Sequence, residues 1–473
     1  MWGTWMLCLG ICSWIVVFTL SKYLSPLDAV KALAELTALE RGAAHLLCGS
    51  VPRIRSFSDK KIAARYAYVH MKRANRLRQH ANILTRPTRT LLKINSGITN
   101  LISTLDSLHD KHSSRLKIVN SFLLPKIKAR YRKLKACCDP LSCEYIIQIC
   151  SIAEQEFIDL PCHRNNEYSL SNKDRAKANE AWRLAFENPE SILLDEASFK
   201  PIDRVPKALR ENQYTLGTPG EVRPLPSDIN QTKQVLITNL HKDLDGEYSA
   251  MELFARNSYE HSYMPWEFHL EILRQTADEA RHADILSSLI KQYGGEYGDL
   301  PIYTVSYDAL YQFENIERGS TEELCYRLLI RNTFQEGLAI DSLAQNASRH
   351  HYLGQQEHAN ALEFILADEL IHANIGLRWT CYICGNAENA RKKRVEAIKA
   401  FQKVLKNRRL RFVADHPKKV IDELNAFSKL EKQIMNQSKF SSGLHWNKIG
   451  RAQAGFEVED LEQMKELGFV LDP

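Results

Sequence analysis

Two short stretches of this chain place side chains where they could hold a metal. In Asp278-Glu279-Ala280-Arg281-His282, and again in Asp368-Glu369-Leu370-Ile371-His372, a glutamate and a histidine stand three positions apart. On a helix that spacing puts both on one face, about a turn from each other, so a carboxylate oxygen and an imidazole nitrogen can reach one ion. Two upstream acids complete a repeat: Glu247 precedes Glu279 by 32 residues, and Glu336 precedes Glu369 by 33. A spare acid follows each after five positions, at Glu252 and Asp341. Two glutamates and two Glu-x-x-His pairs, each on its own helix, form the ligand set with which a four-helix bundle holds a pair of metals. An isolated Glu-x-x-His is an ordinary surface pair, but two copies with matched upstream acids are not easily accidental. The donors are mainly oxygen with two imidazoles, which suits iron or manganese better than structural zinc. The chain has no His-Glu-x-x-His, so a zinc protease is not supported.

The elements that must position these residues are helices. Leu362, Ile365, Gly376 and Trp379 continue the stripe of Glu369 and His372 at intervals of three and four. Ile272, Thr276, Leu286 and Leu289 do the same around Glu279 and His282. Carboxylates centred on apolar stripes are costly to bury unless paired or metal-bound. Four of them without a cation repel one another, and a divalent pair removes both problems. Helical spacing predicts one helix from about Gln231 to His261 and another beginning near Thr321. Tyr248, Phe254, Leu286 and Ile340 either line a small apolar pocket beside the metals or are simply core.

The layout resembles ferritin-like di-iron carboxylate proteins, and Asp278 to His282 matches the DExRH motif of bacterial di-iron monooxygenases. More closely, the chain resembles domain-of-unknown-function family 455. The resembling segments are EYSAMELF from Glu247, ADEARHA from Ala277, YGDLP from Tyr297, QEGLAID from Gln335 and ADELIHANIGLRW from Ala367. The resemblance implies an all-α fold, a ferritin-like four-helix bundle over about 230–385. It implies Glu247, Glu279, His282, Glu336, Glu369 and His372 as ligands of two iron ions, or of manganese and iron, with Glu279 and Glu336 bridging. Asp278 and Asp368 would accept from the imidazole N–H groups, with Glu252, Asp341 and Arg281 as further supporting groups behind the ligands. The family usually shows a histidine two residues before the first glutamate, where this chain has Asp245. The implied activity is that of an oxidase or oxygenase using dioxygen, an unidentified small-molecule substrate and a reductase. The alternatives are iron handling as a ferroxidase, peroxide removal, or a non-catalytic helical scaffold. Long extensions argue against a ferritin shell, and a rubredoxin pair of Cys pairs is missing.

The remainder bounds the setting. The 473 residues are too many for one average domain, and 44% apolar with 25% charged content is globular. Residues 1–21 carry no charged side chain and are roughly long enough to span a membrane. With the basic excess after them, they read as an N-terminal anchor leaving the bulk of the chain in the cytosol. A buried helix or a misassigned start are the other readings. Between Arg53 and Lys93 stand twelve Lys or Arg and a single acid, Asp59, which reads as a solvated basic surface or a contact for anionic lipid. Nucleic-acid binding has no clear support. Eleven cysteines at irregular gaps argue for a reducing compartment. Cys381 and Cys384 form a lone CxxC, and Cys137, Cys138, Cys143, Cys150 and Cys162 with His163 lack metal-site spacing. Ser25-Pro26 opens a helix that should stop near Gly42, and residues 22–195 read as a helical accessory region. A Pro/Gly-rich linker at 196–229 separates it from the metal-binding domain. A charged helical tail, 386–473, packs on the bundle or on a second subunit of a homodimer.

Overall fold

The computed structural model describes residues 23–85, 96–108, 114–158, 170–187, 199–218, 231–415 and 446–467. Among them every regular element is helical, apart from one isolated bridge between Leu216 and Ile302. The class is all-α. The apolar stretch 1–21 lies outside the described residues, and among these no helix is long and apolar enough to cross a membrane.

The chain divides into two compact units, Met1–Ser50 with Tyr66–Ile202, and Val51–Arg65 with Asp203–Pro473. In the first, α1 (Pro26–Ser50) begins as its sequence dictates. The Ser25 hydroxyl accepts from the Asp28 N–H at 3.2 Å, and Pro26 needs no partner in the first turn. The helix does not stop at Gly42. A Cβ there would lie 2.4 Å from Ile102 Cδ1, so the glycine lets α3 (Ser96–Ser107) approach rather than ending α1. Helix α2 (Phe57–Thr85) is divided between the units at residue 66. The first unit continues with α4 (Ser114–Ile118), a π turn (Val119–Leu123), α5 (Leu124–Ala136), α6 (Glu144–Ile158) and α7 (Asn172–Glu187).

The second unit contains α8 (Gln231–Glu260), α9 (Trp266–Gln292), the short α10 (Val305–Ala309) and α11 (Thr321–Leu328). A π turn (Leu329–Gln335) joins α11 to α12 (Glu336–Tyr352), followed by α13 (Gln356–Cys384), α14 (Ala387–Asp415), α15 (Lys448–Gln453) and α16 (Val458–Glu466). Ser320 caps α11 by accepting from the Glu323 N–H at 3.1 Å. Helix α8 packs along α9, α12 along α13, and α9 and the π turn also lie against α13. Gly376 permits that last contact, since a Cβ there would stand 2.3 Å from Asn332 Cβ. Residues 203–218, within the Pro/Gly-rich stretch, carry no helix but are tied down. Leu209 N–H donates to Pro52 O at 2.8 Å, and Gly217 and Ile302 close the bridge.

The part of the basic run beyond residue 85 lies outside the described residues, and much of the described part is paired inside each unit. In the second unit Lys60 meets Glu252, Lys61 and Arg65 meet Asp284, and Arg53 meets Asp203. In the first, Lys72, Arg73 and Arg76 converge on Glu156. Acids distant in sequence cancel much of a charge that looked free when only neighbours were counted.

Candidate metal centre

The four helices of the second unit bring all six predicted ligands together. Glu247 comes from α8, Glu279 and His282 from α9, Glu336 from the first turn of α12, and Glu369 and His372 from α13. Their donor atoms form two overlapping groups, each within 4.8 Å: Glu247, Glu279, His282 and Glu369, and Glu279, Glu336, Glu369 and His372. Glu279 and Glu369 belong to both. One oxygen of Glu279 lies 3.3 Å from His282 Nδ1 and the other 3.3 Å from His372 Nδ1. Glu369 mirrors it, at 3.4 Å from His282 Nδ1 and 3.0 Å from His372 Nδ1. These two carboxylates span the two imidazoles. In this geometry Glu369, rather than the expected Glu336, stands with Glu279 in both groups. Facing helices α9 and α13 each present their motif glutamate between the rings, whereas Glu336 reaches only the His372 group. Glu247 holds the end position on the other side, 3.5 Å from His282 Nδ1.

The two motifs support each other crosswise. His282 Nε2–H donates to Asp368 on the opposite helix at 3.1 Å, and His372 Nε2 faces Asp278 at 3.5 Å. A carboxylate can only accept, so Asp368 fixes a proton on His282 Nε2 and leaves Nδ1 as the nitrogen that faces the other carboxylates. Arg281 closes the loop, reaching Asp278 at 3.0 Å and Asp368 at 2.5 Å.

Glu279 and His282 are wholly buried, and Glu336, Glu369 and His372 nearly so. Burial and the neighbouring charges of Glu369 and Glu247 push the Glu279 carboxyl up to about 8. Burial also raises Glu336 against the opposing pull of Arg331, and the charges of Glu369 and Glu279 add to the rise. For His282 burial works against the cation, but Asp368, Glu247, Glu279 and Glu369 overcome it and hold the ring well above its ordinary value. His372 is raised in the same way by Glu369, Glu279 and Asp278 against burial. Without a metal, protons must neutralise the cluster. Both oxygens of Glu279, one each of Glu247 and Glu336, and His282 Nδ1 are buried without a hydrogen-bond partner. Orphaned polar atoms converging at coordination spacing fit a pair of divalent ions.

Other predicted supporters stand elsewhere. Glu252 is bound by Arg210 at 2.6 and 3.0 Å and by Lys60 at 2.6 Å, and Asp341 by Arg451 at 2.6 Å. Both spare acids serve buried cations rather than His282 and His372. Asp245 accepts from the Tyr297 hydroxyl at 2.6 Å and the Tyr303 N–H at 3.1 Å. Phe254 sits in a core cluster with Phe268, Ile272, Leu328, Ile375 and Trp379, and Ile340 packs with Ala373 and Phe456. Tyr248 and Leu286 are buried as well. The described cysteines are free thiols, and no metal-holding group among the described residues includes one. A third acid–histidine group, Glu260, His261 and Glu323, is already balanced by guanidinium groups. Burial would raise Glu260, but Arg327, Arg256 and Arg204 hold it down at about 2.

Arg331 is a site residue that sequence spacing did not reveal. Its Nε lies 3.1 Å from Glu336 Oε1. Five positions of α-helix would set the two side chains about 140° apart. The intervening π turn, bonded i→i+5, brings them back onto one face.

No curated protein and no solved structure matches the chain. A family model described as a protein of unknown function, DUF455, matches residues 170–462, a span that holds every residue of this centre. With more than half its length inside that match, the chain belongs to the DUF455 family.

Proposed function

We propose that the second unit is a ferritin-like dimetal domain and that the protein is a dioxygen-using oxidase or oxygenase. The observation that carries the reading is the pair of four-residue ligand groups sharing Glu279 and Glu369. A reduced di-iron or manganese–iron pair bound there would supply dioxygen reduction and substrate oxidation. The chain's own part is to hold and shield. Glu279, Glu369, Glu247 and Glu336 would hold the pair with their carboxylates, and His282 and His372 with the Nδ1 atoms that face them. Asp368 keeps the His282 proton on Nε2, and burial keeps bulk water from the ligands.

The test is elemental analysis of the full-length chain after anaerobic incubation with ferrous iron or manganese, followed by oxygen-electrode measurements. About two ions per chain are expected, with oxygen uptake that depends on an added reductant. Fewer than about half an ion per chain would sink the reading. Rapid uptake with ferrous iron alone would move it to a ferroxidase.

A further inference from the structure

Arg331 holds no metal, yet it stands against the ligands with most of its hydrogen-bonding capacity unspent. Its Nε and Glu336 Oε1 are close, but both atoms lack a hydrogen-bond partner because the N–H is not aligned on that oxygen. The guanidinium makes one hydrogen bond, from Nη1 to Gln335 Oε1 at 3.3 Å. A guanidinium has five N–H donors, so four remain free in a residue only 9% exposed. Other buried arginines of this unit are well matched: Arg451 donates three times to Asp341, and Arg256 reaches Glu260 and Asp203. Arg210, Arg327 and Arg394 likewise each donate to an acid, whereas the one hydrogen bond of Arg331 goes to an amide, and its side chain keeps 10% of its surface open.

Charge states what is missing. Taking the dimetal reading as its basis, four carboxylates cancel two divalent ions. Outside them Asp278 and Asp368 are matched by Arg281 and Arg274. Arg331 then leaves one positive charge in a water-poor interior. A neutral substrate would leave it unpaired, at the cost of a buried lone ion. A monoanion cancels it, and a carboxylate matches the planar fork of the guanidinium. We propose that Arg331 is the receptor for the carboxylate of an anionic ligand bound beside the metal pair, so that the substrate class of this site is a carboxylic acid. The π turn serves this arrangement by placing Arg331 on the ligand face.

Full-length chain loaded with cobalt(II), its metal content measured, is titrated with sodium acetate and separately with acetamide, following the visible d–d bands. Acetate should give a saturable change and acetamide none. Arg331→Met should weaken acetate by about tenfold or more, the loss of a charge-assisted pair, and Arg331→Lys should recover part of it. Arg331→Gln replaces the Met variant if that one does not keep two cobalt ions. Equal acetate affinity in wild type and a variant that still holds two ions overturns the proposal. So does a two-cobalt wild type that ignores acetate or binds acetamide as well. A wild-type chain that takes up no cobalt fails at the dimetal reading itself, and the proposal falls with it.

Discussion

Loading this centre with metal must expel protons, and the charges in the cluster set how many. Near pH 7 the metal-free site carries protons on His282 and His372, both held above their ordinary value, on Glu279 at about 8, and on the raised Glu336. Glu247 and Glu369 are lowered, because the imidazoles beside them outweigh burial, and stay ionised. Two cations, two anions and two neutral acids sum to zero. Four carboxylates with two divalent ions also sum to zero, so each ion replaces two protons, about four for the pair. Titration calorimetry of chelator-stripped chain at pH 7, in buffers of different ionisation enthalpy, counts them directly. Glu279→Gln should lower the count by about one. The same protons shape stability. Glu279 binds a proton in the fold that the unfolded chain, at 4.5, has released. Its contribution is therefore full below 4.5 and is lost as pH rises to 8. That window is worth about 5 kcal/mol for the metal-free chain, and bound metal removes the dependence. Release of fewer than two protons, or a metal-free urea midpoint that does not fall between pH 5 and 8, would refute the reasoning.

Removing the acceptor behind a ligand should be felt at the metal: Asp368→Ala is expected to weaken binding by about 10- to 100-fold in chelator competition, and unchanged affinity would remove its role. Gly376→Ala sets a Cβ 2.3 Å from Asn332 Cβ and 3.1 Å from its carbonyl carbon. Urea unfolding should show a loss of about 1–3 kcal/mol, whereas wild-type stability would mean that the π turn yields freely. The buried trio of Lys60, Arg210 and Glu252 gives an asymmetric pair of mutants. Glu252→Ala strands two cations and should cost about 3–5 kcal/mol, while Lys60→Met should be near neutral. Burial already brings Lys60 down to about 8 against the pull of Glu252. A Lys60→Met loss exceeding that of Glu252→Ala would contradict this account.

How much could be read beforehand follows from the range of each interaction. Glu279 with His282, and Glu369 with His372, are i, i+3 pairs, and a helix converts that spacing into a shared face without help from the rest of the chain. The apolar stripes around them carried the same local information, so helical class and the six residues of the candidate centre were legible. Ser25-Pro26 told where α1 begins for the same reason. Gly42 misled, because a glycine that ends a helix and one that admits Ile102 look alike in one dimension.

By itself, then, the amino-acid order determined the helices, their inward faces and the six residues that meet. Tertiary structure decided the rest. It set Glu369 beside Glu279 in both donor groups, crossed Asp278 and Asp368 to the opposite histidines, and sent Glu252 to Lys60, 192 residues away. It also turned Arg331 onto the ligand face through a π turn that an α-helical period cannot foresee. Local spacing sets which way a side chain points from its own helix. Which group it meets depends on the register between helices, and that is settled only when the whole unit packs.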